Sequence, residues 1–256
     1  MPVAHKVAPA IAAGCPFVVK PSDRTPVGAL MIGEILASGT GDAEMPKGSF
    51  SVVPCTSEDA DPLTISPLIK LLSFTGSPRV GWYLKERAGK KKVTLELGGN
   101  AACIIDDLVP SLDAVVNSLI TGAFYQSGQS CISVQRVLIR SDLYRQVATA
   151  FAVAASKLKS GDPRLEDTFV GPMISVEEAD RVQSWLQDAC SKGAKVLSGG
   201  GRKGAIHEAT VVEGVPSECE IWKSEVFGPL ACLEPYDTFE NAISRVNESC
   251  YGLHAG

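Results

Sequence analysis

Two stretches set apart the residues of this chain best suited to covalent and proton-transfer chemistry. Phe124-Tyr-Gln-Ser-Gly-Gln-Ser-Cys131-Ile-Ser-Val-Gln-Arg136 places a cysteine behind a glycine and several small polar residues, and a β-rich apolar run from Val134 to Ile139 follows. A cysteine on such a turn is held open and near backbone N–H groups, conditions that favour the thiolate and leave room for an electrophile. Upstream, Val93-Thr-Leu-Glu96-Leu97-Gly98-Gly99-Asn100 reads as a strand with one acidic residue among apolar neighbours, broken by paired glycines. A carboxylate in an apolar setting is what a general base working near neutrality needs. Taken singly, each stretch also has a plain reading: an inert loop cysteine, and a glutamate on the solvated face of a strand.

The elements that must position these residues alternate. Met1 to Gly14 has helical spacing (Val3, Val7, Ala8, Ile11, Ala12) with Gly14 as its cap, and Cys15–Lys20 is a short strand closed by Pro21. A second helix is expected from Thr25 as N-cap and Pro26 as first residue to about Ser38, ended by Gly39 and Gly41. Ser49–Pro54 and Ile69–Phe74 read as further strands. Such alternation is the mark of a parallel α/β sheet. At the end of the third strand, Phe74-Thr-Gly76-Ser77-Pro-Arg-Val-Gly81 makes a strand-to-helix turn, where free N–H groups can meet a phosphate. It lacks the Gly-x-Gly-x-x-Gly pattern, and by itself reads equally well as a helix-capping turn. The basic run Lys85–Lys92 reads as a solvated helix end.

Past Gly99 the alternation restarts. The strand Ala102–Ile105 leads to a helix capped by Ser111 and running to about Tyr125, then to the cysteine loop, the strand 134–139 and a helix from Ser141 to about Lys159. A helix Ser175–Ser191, a strand Lys195–Leu197, a flexible turn at Gly199–Gly201, a strand Ala209–Glu213 and a helix Phe239–Val246 complete it. The fold class is therefore α/β in two parts, with the boundary at Gly98–Gly99. The last motif, Glu225-Val-Phe227-Gly228-Pro229, reads on its own as a turn before a strand, with Phe227 as a core anchor.

Together the motifs resemble the aldehyde dehydrogenase superfamily. Leu-Glu-Leu-Gly-Gly-Asn and Gly-Gln-Ser-Cys carry the resemblance, and the separation from Glu96 to Cys131 fits that family's layout. The resemblance implies Cys131 as nucleophile and Glu96 as the base for deacylation. It also implies a Rossmann-like nucleotide-binding domain over residues 1–98 and a catalytic, cysteine-bearing α/β domain over residues 99–256. Phe-Thr-Gly76-Ser77 matches the turn that holds the dinucleotide pyrophosphate, and Lys20-Pro-Ser22 a strand end whose lysine contacts the adenosine ribose. Asp23 falls where many members place a ribose-binding Glu. Its carboxylate would repel a 2′-phosphate, so NAD is favoured, with NADP allowed for because of Arg24. Leu97 and Gly98 fall in the cofactor-side motif. Glu225 and Phe227 match the pair that hydrogen-bonds the nicotinamide ribose and packs near the nicotinamide. Cys-Ile-Ser-Val-Gln-Arg136 is closest in wording to lactaldehyde-type and other small-aldehyde members, with Arg136 read either as an anion-binding group or as a structural ion-pair partner.

The family is longer than this chain, which reads as cut at both ends. The expectation is therefore aldehyde oxidation, with three alternatives: a CoA-acylating relative, a thiol esterase, and a weak or inactive fragment that associates with a full-length homologue. In full-length form the family resemblance implies a homo-oligomer.

Composition narrows the field. The 256 residues are 45% hydrophobic and 21% charged, ample for a sizeable core. A net charge of −5 offers no basic field for nucleic acid. Eight cysteines are scattered without a Cys-x-x-Cys pair, and the three histidines lie far apart, so neither a metal site nor a disulfide framework is expected. With no leader pattern and no apolar run of membrane length, the expected setting is reduced, membrane-free and cytoplasmic.

Overall fold

The computed structural model describes residues 3–39, 45–108 and 110–256. The chain divides into two compact units, Met1–Leu97 and Gly98–Gly256.

The first unit is built from short pieces. Helix α1 (Ala4–Ala12) ends as its glycine foretold: Gly14, at φ 64°, donates to Ile11 O, and Cys15 donates to Ala10 O, closing the last turn by a Schellman motif. Strand β1 (Phe17–Val19) follows, then α2 (Val27–Ser38), where Pro26 rather than Thr25 stands at the N-cap and no side chain caps the helix. Its proposed stop at Gly41, like Met1 at the start of α1, lies outside the described residues. Strand β2 (Phe50–Val52), a short α3 (Asp61–Ile65), β3 (Leu71–Thr75), α4 (Pro78–Arg87) and β4 (Lys92–Glu96) complete the unit. The strands pair two by two, β1 with β2 and β3 with β4, both in parallel.

The second unit holds a five-stranded sheet in the order β5-β6-β11-β10-β7. In chain order its elements are β5 (Ala101–Ile105), α5 (Leu112–Phe124), β6 (Val134–Arg140), α6 (Ser141–Ser156), α7 (Val176–Ser191), β7 (Lys195–Ser198), the hairpin β8 (Arg202–Lys203) and β9 (Ile206–His207), β10 (Thr210–Glu213), α8 (Glu220–Lys223), β11 (Leu230–Tyr236) and α9 (Phe239–Asn247). Ser111 and Ser175 cap α5 and α7, accepting from the N–H three residues on, as Ser-x-x spacing before an apolar run predicts. The expected alternation is interrupted where α7 follows α6 and where β7 to β10 follow one another without a helix, and β7 runs antiparallel to β10 while the other pairs of the five-stranded sheet are parallel.

Strand side chains point alternately to the two faces, and both faces are covered. Ala102, Leu138, Val212, Leu230 and Cys232 join one buried cluster with α7 and α8 residues, including Leu186 and Trp222. Their neighbours Ile105, Val137, Ile139, Val211, Ala231 and Leu233 join a second with α5 and α6, where the rings of Phe124 and Phe151 stack at 5.7 Å. The result is a three-layer α/β/α unit. The Gly199–Gly201 turn, expected to be flexible, is pinned: Gly200 N–H donates to Thr210 Oγ1 and Gly201 N–H to Glu208. No helix among the described residues is long and apolar enough to cross a membrane.

Candidate functional site

Between α5 and β6 the chain makes a 3-10 turn over Tyr125–Gly128 and then a tight turn holding Cys131. Ser133 N–H donates to Ser130 O at 3.0 Å, so Cys131 sits at the second position of a closed turn, half-buried. Ser133 Oγ donates to Ala123 O at 3.0 Å, tying the turn to the open carbonyls at the end of α5. Gln126 and Ser127 have φ of 52° and 58°, a left-handed backbone that costs non-glycine residues about 1–3 kcal/mol each and clusters at functional sites. Ser127 is held there by a bond from its hydroxyl to Gly171 O at 3.1 Å.

Three glycines explain why this turn sits where it does. A Cβ on Gly99 would lie 2.0 Å from the carbonyl oxygen of Cys131, and one on Gly128 would lie 2.0 Å from Gly228 O. Both are backbone-to-backbone contacts that no side chain can enter. Gly99 has a second duty: its N–H donates to Glu225 Oε1 at 2.8 Å, while a Cβ on Gly98 would meet Glu225 Oε2 at 2.5 Å. The cysteine turn and the Glu225 carboxylate are thus seated on one glycine pair. Burial pushes the Glu225 carboxyl above its ordinary value, against the pull of the Gly99 N–H and the Arg181 charge. Phe227 is not the core anchor its sequence setting allowed. It is 40% exposed with φ 47°, a strained residue presenting its ring outward.

Arg136 gives neither of the readings its sequence allowed. Its side chain is buried and donates to the carbonyls of Asn100, Arg245 and Val246 at 3.0–3.2 Å, with its guanidinium over the Trp222 ring. It is a structural brace, out of reach of a substrate anion.

In the first unit the expected residues fall at the carboxyl ends of parallel strands, where α/β sheets place ligands. Lys20, Ser22 and Asp23 follow β1. Ser22 shapes that turn, its hydroxyl accepting from Arg24 N–H at 3.3 Å, and Asp23 is exposed. Gly76 and Ser77 follow β3, both exposed, with Ser77 at the N-cap of α4 in an extended conformation that leaves its hydroxyl off the helix N–H groups. A Cβ on Gly81 of α4 would meet Leu97 at 2.4 Å, so that helix packs closely on the end of β4. Glu96 ends β4, and here the apolar setting read from its neighbours is absent. The strand alternates, turning Val93 and Leu95 inward and leaving Glu96 exposed.

Lys6 escaped the sequence reading. Its ammonium donates to Thr75 Oγ1 at 2.5 Å and feels the charge of Glu96, while burial pushes its own titration down. The signal was a cation on the inward face Val3–Lys6–Val7–Ala10 of α1, where the spacing calls for an apolar residue. Among the described residues no cluster of His, Cys, Asp and Glu could hold a metal ion.

The second unit is thus a three-layer α/β fold in which the Cys131 turn and the Glu225 carboxylate meet the same glycine pair. The profile of the aldehyde dehydrogenase family matches residues 1–256, and the chain belongs to that family. Among solved structures, it is similar to aldehyde dehydrogenase 21 from Physcomitrella patens in complex with the reaction product succinate. The identity is 52%, with TM-score 0.95 over 99% of this chain and 52% of that one. It is also similar to the NAD+ complex of aldehyde dehydrogenase from Bacillus cereus (32% identity, TM-score 0.91, 98% of this chain and 51% of that one). Among curated proteins, 3-sulfolactaldehyde dehydrogenase from Priestia aryabhattai is 38% identical over 99% of this chain and 52% of its own length. The chain spans about half the length of the curated relatives it matches.

Proposed function

We propose that this protein oxidises a short aldehyde carrying an anionic group to the carboxylic acid, with Cys131 as nucleophile, Glu96 as base and NAD as hydride acceptor. Residues 1–98 serve as the dinucleotide-binding domain and residues 99–256 as the catalytic domain. The observation that carries the reading is the Gly98–Gly99 seat shared by the cysteine turn and Glu225. The anionic substrate class rests on the relatives' names: succinate and 3-sulfolactaldehyde both bear a charged group besides the reacting carbon.

The residues present fit a dinucleotide. Exposed Gly76 and Ser77 open a ten-residue helix, whose first-turn N–H groups suit a pyrophosphate. The Glu225 carboxylate, steadied by one backbone donor, suits a ribose hydroxyl pair, and the outward ring of Phe227 suits an aromatic face. Lys20 and Ser22 complete the adenosine side with Asp23, whose charge disfavours a 2′-phosphate and so favours NAD over NADP. Leu97 and Gly98 line the link to the cysteine-bearing domain. When bound, NAD supplies a two-electron acceptor for hydride.

The Cys131 thiolate would add to the aldehyde carbon, the C=O π pair moving to oxygen to give a thiohemiacetal oxyanion. The oxyanion would re-form C=O as hydride leaves for NAD, the two-electron acceptor, and a thioester on Cys131 would remain. Glu96 takes a proton from water as its oxygen attacks the thioester carbonyl, and the Cys131 thiolate departs with the C–S bond electrons. The exposure of Glu96 suits this role, because the base must reach water.

Cys131→Ala should abolish NADH formation from succinate semialdehyde in the presence of NAD; turnover retained in that variant refutes the nucleophile. Glu96→Gln should keep a first burst of NADH and slow the steady state by on the order of 100-fold, whereas an unchanged steady state refutes the base. We further read the working form as a cytoplasmic homo-oligomer, which light scattering and cell fractionation test.

A further inference from the structure

Gln135 lies four residues past Cys131 on β6 and is buried. Every hydrogen-bonding position on its amide points at the segment around Glu225. Nε2 donates to Ile221 O at 3.0 Å and to Ser224 O at 2.7 Å, and Oε1 accepts from Val226 N–H at 2.8 Å. Asn100, also buried, adds bonds from Nδ2 to Trp222 O at 3.0 Å and Ser224 O at 3.2 Å. Two amides therefore satisfy the carbonyls that the short α8 leaves open, and the residues on both sides of Glu225 are gripped by Gln135. On the far side of the turn, Arg181 Nη2 donates to Val226 O at 2.8 Å.

We infer that Gln135 is a positioning residue for Glu225: its amide clamps Ser224 and Val226 so that the carboxylate is aimed at the cofactor ribose before the cofactor arrives. This rests on the reading of Glu225 as a cofactor ligand. The physical case is pre-organisation. A glutamate on an irregular turn would otherwise spread over backbone and rotamer states, and binding would have to order them. The clamp also joins two parts of the reaction, since the strand that grips Glu225 begins at the cysteine turn.

Gln135→Met keeps the side-chain volume and removes all three bonds; Gln135→Glu keeps the acceptor for Val226 N–H and removes both donors. NAD affinity of the whole chain should fall about tenfold in the Met variant. In a Glu225→Gln background the same change should alter affinity less than twofold, because the group being positioned is gone. A simple stabilising role for Gln135 would weaken both backgrounds equally. The acid limb of NAD binding should also move to lower pH in Gln135→Met, as Glu225 loses its burial; the other ionising groups that face it, Arg181 and Tyr251, are left in place. An affinity within twofold of the parent in Gln135→Met, or equal losses in both backgrounds, overturns the clamp. Should the Met variant fail to fold, Gln135→Glu carries the same comparison. If Glu225→Gln alone leaves NAD affinity unchanged, it is the cofactor role of Glu225 that falls, and the clamp with it.

Discussion

The two units of this chain hold their proposed site residues by different means. In Gly98–Gly256 the cysteine turn and the Glu225 turn hang from a five-stranded sheet with both faces packed; the cysteine turn is seated by backbone contacts at Gly99 and Gly128, and the Glu225 turn by the amides of Gln135 and Asn100. In Met1–Leu97 the strands pair only two by two. Their burial rests on small residues such as Ala29 and Ala88, while Val18, Ile35, Leu68 and Leu71 stand exposed. What the nucleophile needs is sub-ångström placement, which a packed core supplies. What a pyrophosphate needs is a helix end and a run of N–H groups at a strand terminus, which local backbone geometry supplies with little core.

The contrast can be broken by truncation. Phe151→Ala should destabilise the second unit by about 3–5 kcal/mol, as loss of a buried aromatic ring does. Leu71→Ala, at an exposed position of the first unit, should change stability by less than about 0.5 kcal/mol. Chemical denaturation followed by tryptophan fluorescence checks both, and similar losses in the two variants would dissolve the distinction. Gly99→Ala sharpens it: the new methyl collides with Cys131 O, so a loss of about 1–3 kcal/mol should accompany a collapse of turnover. Thiol-labelling kinetics at Cys131 reads the displaced turn directly.

A smaller effect follows from the carboxylate. Burial raises Glu225, so its proton is held at pH values where an ordinary glutamate is ionised. NAD affinity should therefore fall as pH is lowered through that raised range, and Glu225→Gln should flatten the dependence; titration calorimetry across pH 4–8, a range chosen to bracket ordinary carboxylate and histidine values, measures it. The smallest effect belongs to His207, buried in the hairpin with its titration pushed down by burial. Its native pKa lies below the unfolded one, so the unfolded chain takes the proton first as pH falls below 6.5. Stability should decline on that side and be fully present above it. His207→Gln should lessen the decline, which melting curves at pH 5 and pH 8 would show.

Much of the second unit was legible in the sequence because local signals and tertiary structure agree there. Ser111 and Ser175 stand before apolar helical runs, and both cap. The Val134–Ile139 run is a buried strand with covered faces, which a continuous apolar stretch predicts. Glu96 was misread because Val, Leu and Leu around it were taken as surroundings, when a strand turns adjacent residues to opposite faces. The exposure and left-handed backbone of Phe227 were not legible, because a positive φ leaves no mark in a Glu-x-Phe-Gly-Pro stretch. Gln135 was missed because its partners around Glu225 lie tens of positions away, and a hydrogen bond between distant segments leaves no spacing to read; Lys6 did leave a signal, a cation on an inward helix face, but nothing in the spacing names Thr75 as its partner.

The place of β6 in its sheet has a further consequence, in the order of assembly. Its partner β5 precedes it closely, so that pair can form as soon as α5 and the cysteine turn are made. Its other partner, β11, is joined through Cys232 opposite Arg136, and the Gly128–Gly228 contact arises in the same late stretch. A ribosome must therefore add about a hundred further residues, some 5–20 s of synthesis, before the thiol's turn meets the backbone that seats it. Through that interval the nascent chain carries Cys131 on a half-finished sheet, open to oxidants and not yet held in its native turn. The later of the two partner strands of β6 gives Cys131 its place.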